Sequence, residues 1–112
     1  MFVTTTVEIA GYRIVEYKGI VRGIIVRTPT IGQGFLGGLQ SLGGGRISAY
    51  TKMCEQARQD AYELMVEHAE QVGANAVIGM RYDAAEVMAQ PAASEVLCYG
   101  TAVVVEPVAA QS

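Results

Sequence analysis

The chain has 112 residues, of which 51% are hydrophobic and 17% charged, with a formal net charge of −3. Soluble domains usually carry about 25% charged residues, so this composition excludes disorder and leaves more apolar surface than one small core hides. No two of the eight Lys and Arg are adjacent, which excludes the clustered cations of a nucleic-acid footprint.

In chain order, residues 3–9 (VTTTVEI) read as a short strand rich in β-branched types, and Ala10-Gly11 as a turn. Residues 12–27 read as a long strand, apolar on both parities toward its end. Gly19 and Gly23 interrupt it, and glycine inside a strand marks a bulge or a close backbone approach. Residues 28–45 are glycine-rich: nine of the 13 glycines lie between Gly19 and Gly45. Ile31, Phe35, Leu36, Leu39 and Leu42 distinguish this stretch from a solvated linker.

A long helix is expected from about Ser48 to Val72. Tyr50, Cys54, Ala57, Ala61, Met65, His68 and Val72 recur at three- and four-residue spacing and form one narrow stripe. Ser48 is placed to cap its start and Gly73 to end it as C′. A strand follows at 76–82, a loop at 83–94, and a last strand at 95–105. The order strand, strand, helix, strand, strand predicts a single α+β domain, an antiparallel sheet covered by one long helix.

The absence of a roughly 18-residue apolar run predicts no membrane span. Residues 1–10 lack the basic start and apolar stretch of a signal peptide. Two cysteines make no disulfide framework, so the expected compartment is the cytoplasm, with reduced thiols.

Four patterns bear on chemistry. Gly32 to Gly37 match G-x-G-x-x-G, but Gly43-Gly44-Gly45 break the chain where a dinucleotide fold needs a helix, so a packed loop is expected. Gly43, Gly44, Gly45 and Arg46 stand before the helix, where free N–H groups and a guanidinium can hold an anion or a phosphorylated ligand. That is the alternative function, with an uncharacterised enzyme as one form of it. His68, the one histidine, and Cys54 are about 21 Å apart along the helix, too far to share a metal within a subunit. Cys98 with Met80, Met88 or a neighbouring subunit's His68 offers soft ligands for a soft or transition metal ion. No nucleophile and base can be paired, so no catalytic residue is assigned.

The runs Thr4-Thr5-Thr6, Gly11 to Tyr17, Gly19 to Gly23, Gly44-Gly45-Arg46, Ala49-Tyr50, Ala57-Arg58, Gly73 to Gly79 and Gly100 to Val103 together resemble the YbjQ-like family over about residues 3–106. The resemblance implies a dodecin-like α+β subunit that closes into a ring, typically a homopentamer. It also implies heavy-metal binding, the property for which that family is labelled. The leading expectation is therefore a cytoplasmic homo-oligomer, partnered by itself and by neither nucleic acid nor membrane, that binds a heavy metal or a small ligand.

Overall fold

The computed structural model describes residues 1–27, 45–89 and 92–109, excepting the side chains of 45–50, 88, 89 and 92. The elements are β1 (Phe2–Val3), β2 (Tyr12–Arg27), α1 (Gly45–Gln71), β3 (Ala76–Ala89) and β4 (Ala92–Pro107). They form one sheet in the order β1-β3-β4-β2 with the helix across one face.

The α+β class holds, and the wholly antiparallel sheet is corrected. β2–β4 and β3–β4 are antiparallel, but β1 runs parallel to β3, with Phe2 opposite Ala76 and Val3 opposite Val77. The sheet is mixed because β2 takes the far edge and the helix then carries the chain back, so β3 starts beside β1 in the same direction. The strand expected at 3–9 is only Phe2–Val3. Beyond it, Thr4 and Thr6 bond to β3 through main-chain groups: Met80 N donates to Thr4 O at 3.0 Å and Gly79 N to Thr6 O at 2.8 Å.

β2 has the expected bounds. A register shift falls at Tyr17/Gly19, where Gly19 takes φ +103. A Cβ on Gly23 would lie 2.0 Å from Ala61 O, so the helix backbone rests directly on this strand. The helix starts at Gly45, which puts Ser48 inside it rather than at its cap. Its end is the expected one. Gly73 has φ +82, Gly73 N donates to Glu70 O at 3.0 Å and Ala74 N to Ala69 O at 3.0 Å, the paired bonds of a Schellman cap.

The loop expected at 83–94 is a second correction. β3 continues to Ala89 and β4 begins at Ala92, so Asp83, Ala84, Ala85 and Glu86 pair with Leu97, Val96, Glu95 and Ser94. Their low strand propensity yields to a partner strand already fixed against β2. Asn75 extends the ladder from the loop: Asn75 Nδ2 donates to Val105 O at 2.9 Å and accepts, through Oδ1, from Val105 N at 2.8 Å.

Two apolar clusters hold the layers. Under the helix, Val21, Ala57, Ala61, Met65, Ala69, Val77, Val96, Cys98 and Ala102 are buried. On the other face, near the N-terminus, Ala76, Ile78, Val103 and Val105 pack with Ile9, Tyr12 and Ile14. The glycine-rich segment and its G-x-G-x-x-G pattern lie outside the described residues, apart from Gly45. No helix among the described residues is long and apolar enough to cross a membrane.

Candidate functional site

β2 is the edge of the sheet, paired on one side only among the described residues. Alternation sends Val21, Gly23 and Ile25 toward the helix and Ile20, Ile24 and Val26 to the opposite face. There Ile20 is 74% exposed and Val26 57%, with Tyr99 of β4 and Val87 of β3 on the same uncovered sheet. The second apolar cluster stops short of them. Among the described residues, the result is an uncovered face on which Ile20, Ile24, Val26, Tyr99 and Val87 share the surface with Arg22, Arg81, Asp83 and Glu95, and which runs into an open strand edge. A 16-residue strand spans roughly 50 Å. The molecule measures 64 × 27 × 18 Å and has a radius of gyration of 18.3 Å. A compact domain of this length would have about 13 Å.

His68 stands at that edge. Arg22 N, directed away from β4, donates to His68 Nδ1 at 3.2 Å. The imidazole therefore fills one outward position of β2, and the bond requires Nδ1 to be unprotonated.

Beneath the helix lies a pair of sulfurs. Cys98 Sγ donates to Met65 Sδ at 3.6 Å, and both residues are fully buried. Burial pushes the Cys98 thiol up to about 11, so it is neutral at ordinary pH. Tyr82, opposite Cys98 across the β3–β4 ladder, is also raised. Burial is the main cause, Cys98, Tyr62 and Glu55 act in the same direction, and Arg58 opposes them.

A half-open cleft of about 220 Å³ lies between the first half of the helix and the far ends of the strands. Met53, Cys54, Ala57 and Arg58 face it from the helix. Arg27, Ala84, Val96 and Ser94 face it from the sheet. Arg27 is held by an ion pair from Nη2 to Asp60, while its Nε is buried with no hydrogen-bond partner among the described residues. The Arg58 guanidinium lies 5.2 Å from the Tyr82 ring centre.

The residues expected to bind metal are dispersed. Cys98 is under the helix, whereas His68 is at the outer edge of β2, on the other side of that strand. Met80 packs against the main core. Met88 is eight residues along β3, about 26 Å away in an extended strand, and its side chain lies outside the described ones. The four do not fit one ion within a subunit, and no group of three or more His, Cys, Asp or Glu among the described residues could hold one. Of the expected anion site, Gly43 and Gly44 lie outside the described residues. Gly45 and Arg46 form the described start of α1, and the Arg46 side chain is also outside them. The cleft escaped the sequence reading because Arg27, Arg58 and Ser94 are far apart in the chain. Only the β3–β4 extension brings Ser94 and Ala84 beside the helix.

A family model described as "Putative heavy-metal-binding" matches residues 1–106. A "UPF0145 protein" of Legionella pneumophila (strain Corby) is 54% identical over 105 residues, covering 94% of this chain and 98% of that one. A "UPF0145 protein" of Chromobacterium violaceum is 56% identical over 107 residues, covering 96% and 90%. Among solved structures, a protein of unknown function in the DUF74 family from Pediococcus pentosaceus aligns with a TM-score of 0.64 at 21% identity, over 95% of this chain and 98% of that one. At that identity the likeness is one of fold.

Proposed function

The chain belongs to the YbjQ-like family, and from that premise we propose that it works in the cytoplasm as a homo-oligomer whose subunits join through β2. The observation that carries this reading is the outer edge of β2, unpaired among the described residues, beside its exposed Ile20, Ile24 and Val26. A long edge strand with exposed apolar residues offers its open main-chain groups as a template for a second chain. The elongated shape supports the same reading, because a subunit that leaves so much surface bare gains most by pairing. The ring of five that the resemblance implies is one closed form of such an assembly.

Assembly also bears on the family's metal description. Ligands that stay apart within one subunit can meet those of a neighbour only across an interface. The oligomer is thus the form in which metal binding through His68, at the β2 edge, belongs.

Light scattering at micromolar concentration tests the assembly. The expected mass is a multiple of 11.9 kDa. Ile20→Asp with Ile24→Asp shifts it toward the monomer. A wild-type monomer under the same conditions refutes the proposal.

A further inference from the structure

We propose that the cleft between the first half of α1 and the strand ends binds a small monocarboxylate with a short apolar body. The walls supply the apolar part of the site through Met53, Ala57, Ala84 and Val96. Arg27, Arg58 and the Ser94 hydroxyl supply the polar part.

Charge selects the ligand class. Asp60 already neutralises Arg27. Arg58 meets only the face of Tyr82 and pairs with no carboxylate among the described residues. Glu55, one turn before Arg58, and Glu86, opposite Ser94, are exposed and do not line the cleft. The Arg58 guanidinium can therefore take one carboxylate, while Glu55, near enough to act on Tyr82, opposes any further negative charge and favours a monoanion. Ser94, on the sheet wall of the cleft, carries a second donor for a carboxylate oxygen.

Size selects the body. A volume of about 220 Å³ is below the roughly 300–1,000 Å³ of sites for drug-sized molecules. Hexanoate is a suitable probe, and a ligand this small binds in about the millimolar range. The inference stands apart from self-assembly, since it uses the helix-covered face rather than the bare one.

Cys54 gives a local readout because it lines the cleft and is exposed, while Cys98 is buried. Hexanoate is expected to slow alkylation of Cys54 by iodoacetamide in a saturable way, with light scattering on the same samples to separate any change of assembly. Cys54→Ser should remove the signal. Arg58→Gln should weaken protection about tenfold, the loss of a charge-assisted bond. Ala84→Phe, which fills the cleft from the sheet side, should abolish it even if Arg58→Gln fails to fold. No protection up to about 50 mM hexanoate, fiftyfold above a millimolar affinity, overturns the proposal. So does equal protection by hexanol, or an undiminished effect in folded Arg58→Gln.

Discussion

Cys98 Sγ lies 3.6 Å from Met65 Sδ, with both side chains sealed between helix and sheet. Sulfur is thus part of the packing at the centre of the layer contact, and its chemistry is set by burial. The folded thiol titrates at about 11 against an ordinary value of 9.0. A thiol whose ionisation is raised by folding adds stability below its unfolded value. That contribution is lost as pH climbs from about 9 to about 11, where the unfolded chain has released a proton that the folded chain still holds. Urea denaturation should show a steeper fall in stability over this interval for wild type than for Cys98→Ala. Parallel curves would count against the assignment. Iodoacetamide should modify Cys54 and leave Cys98 untouched until the chain unfolds.

At Gly23 and Ala61 the strand and helix backbones come into direct contact. A methyl on Gly23 would meet Ala61 O at 2.0 Å, Met65 N at 2.6 Å and Leu64 Cβ at 2.7 Å. Two of these atoms are backbone and cannot swing away, so the helix as a whole must lift. Gly23→Ala should cost about 3 kcal/mol in chemical denaturation. A loss under about 0.5 kcal/mol would mean that the helix sits further from β2 than this geometry allows.

The Arg22–His68 bond makes a local prediction. Removing the imidazole with His68→Ala leaves the Arg22 amide without its acceptor. Hydrogen exchange at Arg22 should then accelerate about tenfold or more, while the amides of β2 directed at β4 keep their rates. Unchanged exchange at Arg22 would show that another group protects this edge position.

The sequence made the helix legible because one apolar stripe has one geometric solution. Ala57, Ala61 and Met65 are buried as the spacing predicts. Cys54 and His68, on the same stripe, are less covered because the helix runs beyond the core at one end and beside the strand edge at the other. Ala69, fully buried, was hidden among charged neighbours. The β3–β4 extension was not legible at all, since Asp83 to Glu86 read locally as a polar loop and only cross-strand pairing makes them a strand. For the same reason the cleft could not be foreseen. Its Arg27, Arg58 and Ser94 come from three elements, and no spacing in the chain links them.

The position of β4 has a consequence for synthesis. This strand bonds to both β2 and β3 and so stands at the centre of the sheet, yet it follows both of them in the chain. β2 is finished at Arg27, and its partner begins only at Ala92. At translation rates of roughly 5–20 residues per second, the amphipathic β2 waits several seconds with neither edge satisfied by the native sheet. During that interval, neighbouring nascent chains on one message offer it the same apolar edge that a finished subunit would. Chaperone demand should therefore peak before residue 107 emerges.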